Sequence, residues 1–482
     1  MMGRVAAKGA GTYNVVVIGA GPAGLVVAVA SAGLGARVAL VEKDRMGGDC
    51  LNTGCVPSKA LLASARLADR MRRAGRWALP EAALDVDFTR VMERVRALRA
   101  RIETNDTQER MESLGIDVFR GAGRFASPDA LEVNGARLAA RHFVIATGSR
   151  PSLPPVEGLA AAEPYTTDTV FDGLHTRPAR LAVLGGGAVG CELGQAFAAL
   201  GVEVTLLESA PRLLGREEPE AAALLLRRLT ETGVRVRLGA RVTAAEKRGA
   251  TTLLRLLGQD EPVEAEAVLV AAGRVPNVDG LGLESAGVAF TPRGVTVDAH
   301  LRTTRRRIWA AGDVTGAPQF THVADHHARV VVRNLVAPLF PAKADLRVIP
   351  TAVYTSPEVA RVGLTEEEAR AQGLAVSVIR KELAEVDRAI LEDETEGFAK
   401  VLVSGGRLVG ATLVAEHAGE LIHEMALLMK SRLPLSALGS LVHAYPTVAE
   451  VARKLADEQA RKGLTPRRRR LLAWLFEKRR GS

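Results

Sequence analysis

The sequence predicts an α/β chain with two Rossmann-like units followed by a smaller α+β segment. Three observations predict it. A buried strand, a glycine turn and a helix start follow one another at residues 14–24 and again at 181–190. Each is followed by a second apolar strand ending in glutamate, and the chain changes character near Val348.

In the first unit Asn14–Ile18 reads as the strand, and Gly19, Gly21 and Gly24 form the pattern GxGxxG. The first glycine permits the tight turn, the second lets a pyrophosphate approach the backbone, and the third lets helix pack on strand. Arg37–Glu42 is the second strand, and Glu42 can accept both hydroxyls of an adenosine ribose. In the second unit the glycines are Gly185, Gly187 and Gly190, and Val202–Glu208 ends in Glu208. First glycine to terminal acid spans 23 positions in both, so two dinucleotides are expected. Residues 60–115 read as mostly helical, and Asn134-Gly135 as a hairpin turn. Arg141–Pro151 reads as a strand closing on Thr147-Gly148, and Val348–Lys462 as the α+β segment.

Between the first unit and these helices lies Gly47-Gly-Asp-Cys-Leu-Asn-Thr-Gly-Cys-Val-Pro-Ser-Lys59. A regular helix would hold the Cα atoms of Cys50 and Cys55 about 8–9 Å apart, beyond the roughly 7 Å that a disulfide tolerates. If the thiols bond, the backbone between them must leave the helix. Gly54 can supply the departure, and Asn52 and Thr53 can bond locally. Pro57 suits the first turn of a following helix. The segment reads as a reducible pair at a helix start, where thiolate is favoured. Two buried thiols or half of a metal site are the other readings, and no further cysteine lies near enough to complete a second pair. Cys191, directly after the second glycine turn, reads as a small core residue.

Composition narrows the class. The chain has 482 residues, 47% apolar and 25% charged, with three cysteines, which argues against a secreted disulfide framework. The formal charge of +9 is concentrated in residues 461–482, where nine Lys and Arg face one Glu. The fold itself is therefore near neutral, and no nucleic-acid partner is expected. Tyr13–Ala36 is uncharged, but its glycines fit a dinucleotide turn better than a membrane span. The protein reads as cytoplasmic. Its tail, Thr465–Arg480, flanks an apolar core with basic blocks. It reads as a solvated or locally docked segment, with peripheral contact at the inner membrane face through Trp474 and Phe476 as the other reading.

The cysteine segment, both glycine turns, Ala146-Thr-Gly-Ser149, Ala311-Gly-Asp313 and Pro446-Thr447 together resemble the class I pyridine nucleotide-disulfide oxidoreductases over residues 12–460. Within that family the cysteine segment, Val386–Ala389 and Glu396–Phe398 look most like mercuric reductase. The resemblance implies two Rossmann-like dinucleotide-binding domains, for FAD and NAD(P), plus a C-terminal α+β dimerisation domain and hence a homodimer. The expected boundaries are 12–150 and 275–345 for FAD, 151–274 for NAD(P), 346–464 for dimerisation and 465–482 for a basic amphipathic tail. By the same resemblance Cys55 faces the flavin and Cys50 is the exposed thiol that meets substrate. Lys59 lies near flavin N5 and pairs with Glu192 beside the nicotinamide, Glu42 holds the adenosine ribose and Asp313 the ribityl chain. Ala23, Gly48, Gly123, Thr147, Gly148 and Gly273 complete the expected cofactor contacts, and no metal site is expected. Glu208 repels a 2′-phosphate, so NADH is expected, with NADPH as the other candidate.

The family's disulfide-exchanging members carry His-Pro-Thr-x-x-Glu as a catalytic base. This chain has Tyr445 in the histidine position, with His443 two residues upstream and Glu450 downstream. An ordinary tyrosine, with pKa about 10, is a poor acceptor near neutrality. Mercuric reductases resemble the chain in that tyrosine, but the C-terminal cysteine pair they carry has no counterpart here. The expected activity is therefore electron transfer from NAD(P)H through flavin and Cys50–Cys55 to a small-molecule disulfide, metal-ion or quinone acceptor. Dihydrolipoyl dehydrogenase with His443 as surrogate base is the nearer alternative. A flavin/disulfide redox sensor or membrane-docked binding protein is the more distant one.

Overall fold

The computed structural model describes residues 12–480. The chain divides into two compact units, one of residues up to 67 with 85–209 and 240–346, the other of 68–84, 210–239 and 347 onward.

The first unit contains the first Rossmann-like sheet and three parallel strands of the second. Strand β1 (Tyr13–Ile18) leads through the glycine turn into helix α1 (Pro22–Gly33), and β2 (Val38–Glu42) lies parallel to β1 with Val17 opposite Leu40. Strand β3 (Asp117–Arg120) extends that edge, while Ala136–Ile145 and then Ile308–Ala310 extend the other. A parallel sheet covered on both faces needs apolar residues on both, which is why Val-Ala-Leu-Val-Glu42 is buried at every position. The second sheet sets Arg180–Leu184 between Glu203–Glu208 and Ala267–Val270, all parallel. Ser149–Pro151 and Arg274–Pro276 pair antiparallel before and after the strands of this second sheet. The expected hairpin forms, with Asn134 and Gly135 both at positive φ as a two-residue primed turn requires.

The second unit is built on a five-stranded antiparallel sheet, in the order Pro350–Val353, Glu358–Gly363, Arg407–Ala415, Phe398–Ser404 and Ser377–Glu382. Helices Ala418–Ser431 and Glu450–Lys462 supply apolar residues to its core. Lys400 is buried in the sheet with its ammonium 2.7–3.1 Å from Glu218, Glu220 and Glu366. A buried cation without such partners would be strongly unfavourable.

The tail is helical from Pro466 to Arg480 and exposed throughout. It is not amphipathic in the sense of one apolar face, which corrects the expectation. Its apolar residues run almost unbroken from Leu471 to Phe476, so at about 100° per residue they wrap more than half of the circumference. The basic blocks lie before and after that band along the axis. Residues 481 and 482 lie outside the described part. Among the described residues no helix is long and apolar enough to cross a membrane.

Candidate active site

The cysteine segment is built against the first glycine turn. Gly47 and Gly48 both adopt positive φ, and a Cβ on Gly48 would come within 2.6 Å of the Gly21 Cα. Only glycine fits that contact. Helix α2 (Gly48–Asn52) therefore starts where the second glycine of the motif exposes its backbone. Thr53 closes α2 by donating its N–H to Asp49 O at 2.9 Å, and helix α3 (Cys55–Arg72) begins after Gly54. The helix between the cysteines is thus interrupted as the pairing requires, at Thr53 and Gly54. Gly54 is not left-handed; its role is space, since a Cβ there would press on Asp49 O at 3.0 Å. Asn52 pins the loop by donating to Met46 O and Gly48 O, each at 2.9 Å.

Cys50 and Cys55 are both free thiols. The Cys55 sulfur lies 3.3 Å from Thr321 Oγ1. Nearby, Lys59 Nζ donates to the buried Glu192 carboxylate at 2.8 Å. The hydrogen bond from Cys50 pulls the Cys55 thiol down to about 6 against the opposing effect of burial, with Thr321 and the Lys59 ammonium adding to it. The same bond drives Cys50 upward, as does burial. One proton is therefore shared by the pair, with Cys55 as the thiolate at the first turn of α3, the end of a helix that favours negative charge. In the chain by itself Cys55 is exposed and Cys50 half-buried. Cys50 sits within α2, whereas Cys55 opens α3.

The two glycine turns repeat the same close contact. A Cβ on Gly24 would lie 1.8 Å from Gly19 O, and one on Gly190 would lie 1.9 Å from Gly185 O. Glu42 accepts the N–H of Ala20 at 2.6 Å and that of Asp44 at 2.7 Å, and Glu208 accepts that of Gly186 at 2.6 Å. Each acid thus ties the end of its second strand to its own turn, and its remaining lone pairs can take ribose hydroxyls. Ala23 is buried in the first turn of α1, and Gly123 packs against Leu131, Val41 and Ile18. Thr147 donates to Asn277 O at 2.8 Å, and Gly148 and Gly273 are left-handed. Asp313 follows the left-handed Gly312 and accepts from Ser149 Oγ at 2.7 Å. These glycine cradles and carboxylates fit two dinucleotides, one at each glycine turn.

Sequence reasoning did not find the groups that bind these pieces together. Arg274 donates to Ser149 Oγ at 2.8 Å and to Ser149 O at 2.9 Å, and it also contacts Asp49, the neighbour of Cys50. Burial raises Asp49 to about 6 against the pull of Arg274, with Asp168, Asp313 and Glu42 adding to the rise. Thr321 reaches Cys55 across 266 positions, a separation that no local pattern signals. Cys191 is fully buried, as expected of a core residue.

Comparison with known proteins decides the family. The profile of the pyridine nucleotide-disulphide oxidoreductases matches residues 13–328, and that of their dimerisation domain matches 349–456. The chain belongs to this family. As a pyridine nucleotide-disulphide oxidoreductase it is a flavoprotein enzyme that uses FAD and NAD(P)H, and its dimerisation domain makes it a homodimer. It is 36% identical to a mercuric reductase of Staphylococcus aureus, over 91% of this chain and 81% of that protein. It is 37% identical to a dihydrolipoyl dehydrogenase of Thermus scotoductus, over 92% and 97%. Among solved structures, the Cu(II) complex of the HOCl-induced flavoprotein disulfide reductase RclA from Escherichia coli superposes with a TM-score of 0.84. It is 30% identical over 93% of this chain and 99% of RclA.

In the oxidoreductase's C-terminal unit the three expected residues do not form one cluster. Tyr445 is 70% exposed, precedes a cis proline, and donates to Asp387 Oδ2 at 2.9 Å. That bond stabilises the neutral phenol and raises its pKa. His443 turns elsewhere, with Nε2 3.3 Å from Glu424 Oε2 and Nδ1 3.3 Å from Leu441 O. Glu450 is buried and bonded to Arg453.

Proposed function

We propose that this oxidoreductase passes an electron pair from NADH through Cys50 and Cys55 to a thiophilic acceptor, in the manner of mercuric reductases. The observation that carries this reading is the Cys55 environment: Thr321 Oγ1 at 3.3 Å from its sulfur and the Lys59–Glu192 pair beside it, with the Cys50 hydrogen bond drawing the thiol down. We assign FAD to residues 12–150 and 275–345 and the nicotinamide to 151–274. Bound FAD supplies the relay between the nicotinamide hydride and the cysteine pair.

The chain's own residues do the rest. Two electrons and one proton entering the Cys50–Cys55 disulfide break its S–S bond and leave one thiol and one thiolate. Moving the shared proton from Cys50 to Cys55 makes Cys50 the nucleophile. On a disulfide acceptor, Cys50 displaces one sulfur as thiolate and forms a mixed disulfide; the proton on Cys55 passes to that leaving thiolate. Cys55 then attacks the Cys50 sulfur, expels the second acceptor sulfur as thiolate and restores the S–S bond. On a thiophilic divalent metal ion the remaining thiol loses its proton to solvent and both thiolates ligate the ion; the electron pair then passes from the two sulfurs to the metal as the S–S bond re-forms. The mercuric reductase relatives and the Cu(II) complex of RclA support that acceptor class. Tyr445 is a donor to Asp387 and has no place as the base. A tyrosine in the position of the family's histidine base does not favour dihydrolipoamide turnover.

The test is an anaerobic NADH titration followed by absorbance, with Cys50→Ala in parallel. Uptake of four electrons per flavin, with a long-wavelength thiolate-to-flavin band, is expected of the wild type. Uptake of two with direct bleaching overturns the mechanism and favours a diaphorase or a redox sensor.

Glu208 carries the coenzyme preference: held at the second glycine turn, its carboxylate favours a free 2′-hydroxyl. Glu208→Ala is expected to raise the NADH Michaelis constant about tenfold, the loss of one charge-assisted hydrogen bond. An unchanged constant counts against this assignment. For the exposed tail we propose contact with anionic lipid at the inner membrane face, on the strength of its two basic blocks around Trp474 and Phe476. Deleting 466–482 should then abolish sedimentation with phosphatidylglycerol vesicles, and equal sedimentation of both forms rejects it.

A further inference from the structure

Helix Thr321–Val336 carries a buried histidine that neither glycine turn nor cysteine pair accounts for. His327 is 1% exposed, and its Nδ1 accepts the backbone N–H of Gly312 at 3.2 Å. An Nδ1 that accepts places the ring proton on Nε2, and that nitrogen is buried with no hydrogen-bond partner among the described residues. Burial keeps the ring neutral, drawing its pKa down to about 4, with His326 adding to the effect. An orphaned buried N–H is unfavourable and is retained in native structures for a reason.

The other end of the hydrogen bond gives the reason. Gly312 has φ +77°, and a Cβ there would touch both Ala23 of α1 and Ala324 at 3.4 Å. It opens the turn Gly312–Thr315 that presents Asp313, whose Oδ2 is held by Ser149. With an apolar side chain at 327 the Gly312 N–H would itself be buried and unsatisfied, and the turn would lose its fixed start.

We propose that His327 is a positioning residue for the flavin: by holding the Gly312 N–H it fixes the turn that presents Asp313 to the ribityl chain. This rests on the reading that Asp313 binds FAD. The test uses purified holoenzyme and three variants. His327→Asn sets Oδ1 close to where Nδ1 accepts; His327→Gln carries its amide to the Nε2 position and misses Gly312; His327→Leu removes the acceptor. FAD release on dilution is followed by recovery of flavin fluorescence, with melting temperature and the NADH Michaelis constant recorded alongside.

Release is expected to quicken about tenfold in the Gln and Leu variants, the loss of one buried hydrogen bond, and to stay near wild type in the Asn variant. The NADH constant should not move. Should the Leu variant fail to fold, the Asn–Gln pair still decides the matter. Release equal in the Asn and Gln variants overturns the proposal. Asp313→Ala separates the two readings. If it leaves FAD release unchanged, the Asp313 assignment fails. If it quickens release while His327→Gln does not, only the present inference fails. A double variant Asp313→Ala/His327→Gln no faster than Asp313→Ala alone is the outcome expected when His327 acts through that turn.

Discussion

Replacing Cys55 with serine is expected to lower NADH-dependent reduction of an added disulfide or Hg(II) by on the order of a thousandfold or more, the scale of losing a covalent catalytic group. NADH should still bleach the flavin, because neither glycine turn is touched. The sign of the pH dependence follows from the direction of the shift. Cys55 is drawn down from the ordinary thiol range to about 6, so its thiolate is present above that pH and lost as pH falls through it. The thiolate-to-flavin band of the two-electron-reduced enzyme should therefore be full at pH 7.5 and half gone at about pH 6. Cys50→Ala removes the main cause of the shift and should move that midpoint up towards the ordinary thiol range. Lys59→Met should move it up by less, since the ammonium contributes less than the Cys50 bond. A midpoint indifferent to both variants would show that the thiolate is stabilised by something other than these residues.

What was legible in the sequence is what lies close along the chain. The Gly24–Gly19 contact, the Glu42 bond to Ala20 and their counterparts at the second glycine turn all close within 23 positions. Spacing and residue type are then sufficient, because a strand, a turn and a helix leave one geometry for those atoms. The interruption between the cysteines was likewise forced by the reach of a disulfide. Its details were not: Gly54 supplies room, whereas the left-handed glycines are Gly47, packed on Leu51, and Gly48, packed on Gly21. Long-range partners left no trace. Thr321, Arg274 and His327 come to the site from elements that follow the second glycine turn by more than 80 positions, and their residue types are common at surfaces and in cores alike. The same holds for Asp387, which takes the Tyr445 hydroxyl across 58 positions, and for the Glu218–Lys400 contact across 182. Ion pairs and single hydrogen bonds have no periodicity, so they become visible only when the fold brings them together.

The matched turns make a paired experiment possible, with Gly24→Ala in one and Gly190→Ala in the other. At either position the added Cβ would collide with a backbone oxygen, at 1.8 Å from Gly19 O or 1.9 Å from Gly185 O. Neither oxygen can step aside. Gly19 is fixed by donating its N–H to Val41 O at 2.8 Å, and Gly185 by donating to Leu207 O at 2.9 Å. The helix must therefore lift from its strand and carry its first-turn N–H groups away from the pyrophosphate. Overpacking of this kind costs about 1–3 kcal/mol, so the affected dinucleotide should bind roughly 5- to 150-fold more weakly. Gly24→Ala is expected to purify with little FAD. Gly190→Ala should stay yellow, reduce normally with dithionite, and require far more NADH for half-maximal reduction. Each variant losing its own dinucleotide and keeping the other supports the assignment of FAD to the first turn. If Gly190→Ala instead sheds FAD and keeps its NADH dependence, the two units have been assigned the wrong way round. If Gly24→Ala does not fold, Gly190→Ala alone still distinguishes the two assignments, because the flavin's own absorbance reports whether the first turn is intact.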